Sequence, residues 1–244
     1  VLGIERLFDE QRLLPYVIPL SLAFITNYYI GFMVAIFAAL YFGWHWAIQH
    51  QPQLLRKISL FVIGSLLSGM IAAVVLIPTY YALSASRLSS AGADFSFKAL
   101  YSLIDLPSKL LPGSFNFDQL SNGLPNLYMG MIGLLGASFY FLARTIPVRE
   151  RLISAGMTLL LILSIWLNPL AIIWQGFRAP VWYLYRHSFI VIFWFLLLSL
   201  RGLMQLRAVS RLRLLLTSLV IGGLLIIPAA LRMGTHKLSL IHIS

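Results

Sequence analysis

The sequence has no cysteine, so no disulfide can brace any part of it, and thiols say nothing of its redox compartment. Charge is scarce too: 10% of residues are charged, with 7 acidic side chains against 18 Lys and Arg. There is no Asn-x-Ser/Thr sequon, Walker loop, His-Glu-x-x-His zinc motif or Gly-x-Ser-x-Gly nucleophile elbow. Those absences remove the common soluble hydrolases and nucleotide triphosphatases. What fills the chain instead is apolar: 60% of its 244 residues are hydrophobic and the mean hydropathy is +0.88. A span needs about 20 mostly apolar residues, and several runs approach that length. The expected fold is all-α, a polytopic transmembrane helix bundle of about seven spans. A net charge of +11 would point to nucleic acid in a soluble chain. Here Lys and Arg sit at the ends of apolar runs, where they orient spans, so the expected partner is the lipid bilayer and not nucleic acid.

Both ends read as cut. The chain opens on Val1 inside an amphipathic stretch, with no signal-type segment. At the other end, Leu238-Ser-Leu-Ile-His-Ile-Ser244 matches the in-frame translation of a transposase sequencing adapter. The expectation is a transmembrane domain over 1–237, part of a longer protein, with an adapter-derived tail over 238–244.

Taken in order, the expected spans are Arg12–Thr26, Ile30–Ile48, Lys57–Ile77, Asn126–Leu142, Arg151–Leu167, Ser188–Leu203 and Leu212–Leu231. The first two form a tight hairpin broken at Asn27-Tyr-Tyr29. Gly64/Ser68 and Ser65/Gly69 put small residues on helix faces that can approach a neighbour closely, and Gly130, Gly133 and Gly136 are spaced as one packed face. A long loop, 79–125, carries enough apolar residues between Phe95 and Leu111 to order, as in a helix lying on the membrane surface. A shorter aromatic and basic loop covers 168–187. Arg56, Lys57, Arg144, Arg149, Arg151, Arg201, Arg207, Arg211 and Arg213 cluster in short connections on one side. By the positive-inside rule that side is cytoplasmic, and both loops face outward together.

The outward face collects Lys109, Arg178 and Arg186, the carboxylates Asp105 and Asp118, and the aromatics Trp174, Trp182, Tyr183 and Tyr185. Cations clamp phosphate, a carboxylate can act as base, and aromatic faces hold sugars or prenyl chains. Arg186 opens an apolar run, and a cation at that depth is costly unless it pairs. The other reading is a belt of interfacial anchors, with Arg186 snorkelling to water; composition leaves both open. His187, beside Arg186, is a group that could titrate near an anionic ligand.

Several segments match one family in order and spacing. Asn27-Tyr-Tyr-Ile-Gly-Phe-Met33 with Leu40-Tyr-Phe42, then Leu76-Ile-Pro-Thr-Tyr80, then Gly123-Leu-Pro-Asn-Leu-Tyr-Met-Gly130 resemble segments of the YfhO-type bacterial membrane proteins. Pro180-Val-Trp182 and Tyr185-Arg-His-Ser-Phe189 resemble that family's Pro/Trp and Tyr-Arg segment. Ala179 and His187 depart from it, standing where a polar residue and an apolar or aromatic residue are more usual.

The resemblance implies a GT-C-like glycosyltransferase in the bacterial plasma membrane, with its active face extracytoplasmic. It would move a sugar from a polyprenyl-phosphate carrier to a cell-envelope polymer such as teichoic acid. Arg186, Lys109, Arg178, Trp182, Tyr185, His187, Asn126 and Tyr128 would bind substrate. The catalytic acid of such enzymes lies in the first outward loop, before the point where this chain begins, which leaves Asp105 and Asp118 as weak candidates. No cofactor is required by the reading, and a divalent metal is compatible with it. The alternatives are a lipid-linked sugar transporter or flippase, which needs polar residues within the spans, and a structural membrane subunit.

Overall fold

The computed structural model describes residues 1–49, 53–85, 94–114, 123–178, 185–206, 212 and 214–223. The chain forms two compact units, residues 1–97 with 169–180 and residues 98–168 with 181–244. The all-α expectation holds: among the described residues the backbone pairing outside helices is one isolated antiparallel bridge, Ala99 to Leu167.

The first unit holds α1 (Leu2–Asp9), α2 (Leu14–Thr26), α3 (Tyr28–Gln49), α4 (Leu54–Ile71) and α5 (Ala73–Ala85). The α2–α3 hairpin turns on Asn27 alone, and the reason is capping. Its side-chain oxygen accepts from the backbone N–H of Tyr29 at 3.1 Å and of Ile30 at 3.2 Å, so α3 starts at once. Gly31 then lets the helices close, because a Cβ there would lie 2.8 Å from the Phe24 ring. α4 packs on α2 through Gly64 and Ser68, both buried, while Ser65 and Tyr16 share a hydrogen bond of 2.8 Å between their hydroxyls. Gly69, expected on a packed face, has open space around it. α1 docks by Ile4, Leu7 and Phe8, and Glu5 accepts from the Tyr41 hydroxyl at 2.8 Å. The Lys57 amine lies 4.9 Å from the centre of the Phe8 ring, a cation–π contact that helps keep a buried cation.

One boundary differs from expectation. Only Ala72 separates α4 from α5, and α5 continues through Pro78 to Ala85. A proline removes a single helical hydrogen bond, which a helix among apolar neighbours can carry. The loop expected from 79 therefore starts after Ala85. α3 and α4 are long and apolar enough to cross a membrane, and α2 and α5 are shorter apolar helices.

The second unit contains a 3-10 helix (Leu103–Leu110), α6 (Met131–Leu142), α7 (Val148–Trp166), α9 (Ser188–Met204) and α10 (Leu214–Gly223); α8 (Asn168–Trp174) lies in the first unit apart from Asn168. So every expected span has a helical counterpart. The loop's expected surface helix is confined to the 3-10 turn around Pro107. α6 and α9 run parallel with their backbones in contact. A Cβ at Gly133 would meet Leu196 at 3.2 Å, and one at Gly136 would collide with Ser199. A Cβ on Gly202 would strike the Gly136 carbonyl oxygen and sit 2.7 Å from the Tyr140 backbone nitrogen. Gly130 is not on this face: it precedes α6 with φ +81° and nothing near, so its use is conformational. At the end of the unit where α6 leads into α7, Glu150 accepts from Arg201 and from the Tyr140 hydroxyl, each at 3.1 Å, and that hydroxyl also bonds Ser154 at 2.8 Å. These bonds tie α6, α7 and α9 at one end.

Candidate ligand-binding site at the Arg186 turn

The opposite end of the second unit is built on the C-terminus of α7. That helix ends at Trp166 because Leu167 turns extended, freeing backbone groups for a partner. The partner is residues 98–101. Leu100 donates its backbone N–H to the Trp166 carbonyl at 2.9 Å, and Asn168 donates to the Lys98 carbonyl at 3.1 Å. The Trp166 indole N–H donates to the Tyr101 carbonyl at 2.9 Å. Tyr101 is thereby fixed by its own backbone against the helix end.

The turn into α9 reaches the same place. His187 caps α9 and is 1% exposed, with its Nε2 3.1 Å from the Ser164 carbonyl of α7. Tyr185 sets its ring edge-on to Tyr101, centroids 5.6 Å apart and planes at 80°. The Ser188 N–H closes the turn on the Tyr185 carbonyl at 3.0 Å. Between two held neighbours, Arg186 is exposed. Its backbone lies between two residues that are held, and holding a backbone in place lowers the entropic cost of any contact its side chain makes. The two loops expected to share a side do meet, through residues 98–101 and 185–187, at one end of the unit.

His187 is expected beside an anionic ligand; the structure places its ring against Ser164 and shut from solvent, so it presents no exposed face. Burial also lowers its pKa to about 4, against which the backbone bond works only weakly, so it is neutral near pH 7. The unfolded chain, with the ordinary value near 6.5, binds more protons between those limits, so this histidine's linkage weakens the fold as pH falls through that window. Its contact with Ser164 joins the turn to the end of α7. Lys109 is likewise buried, 4% exposed, and its amine donates to the Ser114 carbonyl at 2.6 Å, closing its own loop rather than facing outward. Asp105 shares the 3-10 turn with Lys109 and is half-buried, its carbonyl accepting from the Ser108 hydroxyl at 2.6 Å.

Asn126 accepts from the Tyr128 N–H at 3.2 Å, a local turn that leaves the Tyr128 side chain exposed before α6. Arg178 belongs to the first unit. It follows α8 directly after a left-handed stop at Gly176 and Phe177, whose N–H groups return to Ile173 at 3.2 Å and Ile172 at 3.1 Å. Asp118 and Trp182 lie outside the described residues, as do Tyr183, Ala179 and the tail 238–244. Among the described residues no group of three His, Asp or Glu side chains gathers to hold a metal ion.

Sequence reasoning missed Tyr101, Trp166 and Ser164 as parts of this end. The available signal was the aromatic enrichment at the end of an apolar run, Trp166-Leu-Asn-Pro169, facing an aromatic loop.

Comparison with known proteins agrees with the segment matches. The curated protein described as "Uncharacterized protein YfhO" from Bacillus subtilis (strain 168) is 25% identical over 224 residues, 91% of this chain and 24% of the relative. The chain thus spans about a quarter of that relative's length. No solved structure matches. The family described as "Bacterial membrane protein YfhO" matches residues 1–242, and on that near-complete coverage the chain belongs to the YfhO family of bacterial membrane proteins.

Proposed function

We propose that this chain is part of a multi-pass, GT-C-like glycosyltransferase that takes a sugar from a polyprenyl-phosphate carrier on the outer face of the membrane and passes it to a cell-envelope polymer. The observation that carries the reading is the exposed Arg186 on a turn whose flanking residues, Tyr185 and His187, are held from both sides. A guanidinium presents a planar fork to two phosphate oxygens and stays charged at any working pH. Tyr185 and Trp182 would pack against the sugar or the first isoprene units, and Asn126 and Tyr128 are the further substrate contacts. Lys109 serves by holding its loop through Ser114. Asp105 is a described carboxylate of that loop and a candidate base. A carrier flippase would need charged side chains along the spans. Glu150 and Arg201 instead pair with each other where α7 begins and α9 ends, which favours the enzyme.

Two measurements test this. In cells lacking the native copy, the envelope polymer is expected to lose one sugar substituent and to regain it on return of the full-length gene; unchanged polymer composition in the deletion strain would sink the reading. Sidedness is tested with single cysteines in a cysteine-free background. Ser102→Cys should react with an impermeant thiol reagent in intact cells, and Val148→Cys only after permeabilisation. The reverse pattern would place Arg186 in the cytoplasm and end the proposal.

A further inference from the structure

The hydroxyl of Tyr101 is buried and, among the described residues, has no hydrogen-bond partner. Leaving a buried hydroxyl unbonded is costly, and a protein seldom retains one where phenylalanine would fit equally well. Tyr101 cannot relieve that cost by drifting, since its backbone is bonded to the Trp166 indole and Leu100 is bonded to the Trp166 carbonyl. Its aromatic neighbour is Tyr185, and the residue after Tyr185 is the exposed Arg186.

Taking the Arg186 phosphate site as its starting point, we infer that Tyr101 is a ligand-contacting residue of that site, its hydroxyl donating to an oxygen of the carrier headgroup that Arg186 grips. Tyr185, packed edge-on, shifts to admit the headgroup. The phenol is a neutral donor at any working pH: burial first, and then the neighbouring Tyr185, push its pKa well above the ordinary tyrosine value. Tyr185 itself is pushed up to about 12 by burial. A neutral donor beside a cation suits an anionic oxygen, since it adds a bond without adding repulsion.

Tyr101→Phe separates this from a structural role because the two readings differ in sign. Removing an unbonded hydroxyl leaves the packing intact, so the thermal midpoint of the full-length protein in detergent should stay or rise. Affinity for farnesyl phosphate should fall about tenfold, the worth of one hydrogen bond to a charged group. A lowered midpoint would show that the hydroxyl serves the fold, and would overturn the inference. Unchanged farnesyl phosphate binding in Tyr101→Phe, with binding lost in Arg186→Ala, would overturn it while leaving the Arg186 site in place. Unchanged binding in both variants would remove the phosphate site altogether. Inorganic phosphate distinguishes the ligand source: competition at the same concentration as farnesyl phosphate would assign the site to free phosphate and overturn the lipid headgroup, whereas weak competition supports it.

Discussion

Arg186→Ala in the full-length protein is expected to lower sugar transfer at least tenfold at equal membrane abundance. A charge-assisted hydrogen bond contributes about 1.5–3 kcal/mol, and tenfold in rate corresponds to about 1.4 kcal/mol, so loss of a two-bond grip clears that threshold. The telling variant is Arg186→Lys. It keeps the charge but replaces the fork with a point donor, so a phosphate clamp should lose most of its activity. An interfacial anchor would behave otherwise, because a lysine stem snorkels as well as an arginine stem. The measurement is incorporation of labelled sugar into the envelope polymer of cells lacking the native copy. Full transfer by both variants would return Arg186 to the aromatic belt. The exposure of Arg186 makes this a clean experiment, since its removal opens no cavity.

Gly202 carries the second large effect, on stability. A Cβ at this position meets backbone, not side chain: the Gly136 carbonyl oxygen and, at 2.7 Å, the Tyr140 nitrogen. Neither can rotate away, so α6 and α9 must separate. Gly202→Ala is expected to cost about 1–3 kcal/mol, as overpacking does in other close-packed interiors, and Gly202→Leu more. The consequence is severe in a bilayer, where no hydrophobic force drives helices together and close packing supplies much of the association. The Glu150–Arg201 pair and the Tyr140 hydroxyl bonds sit on the same helices and would be strained by the same separation. Gly156→Ala in α7 is the control. No atom lies within 4 Å of the added methyl, so helix propensity alone acts and the change should be neutral or stabilising by up to about 1 kcal/mol. Thermal melts of the detergent-solubilised protein compare the variants. Equal midpoints for Gly202→Leu and Gly156→Ala would refute the close crossing.

What the sequence by itself determined is what local chemistry controls. Run length and apolar content made the chain helical and placed a helix in each expected apolar run, because a backbone among apolar groups must satisfy its own hydrogen bonds. Asn27-Tyr-Tyr29 marked the hairpin, since a break with no room for a loop is a property of a few residues; the cap at Asn27 and the close approach at Gly31 came with the structure. The placing of both loops at one end followed from counting spans between them. Burial was beyond that reach. Arg186 and His187 are adjacent, polar and basic in type, yet one is exposed and the other shut against Ser164, twenty-three positions away in sequence. Lys109 read as an outward cation and is closed onto Ser114. Gly130, Gly133 and Gly136 looked alike in spacing, but only the last two meet α9. Tyr101 drew attention only as apolar content until Trp166 and Tyr185 were set beside it. Except for Lys109, which closes its own loop, the deciding partner lies on another segment, and spacing along a chain reports which face a residue occupies, not what that face meets. Only the tertiary structure supplies the neighbour, and with it the difference between a side chain left exposed and one closed against another segment.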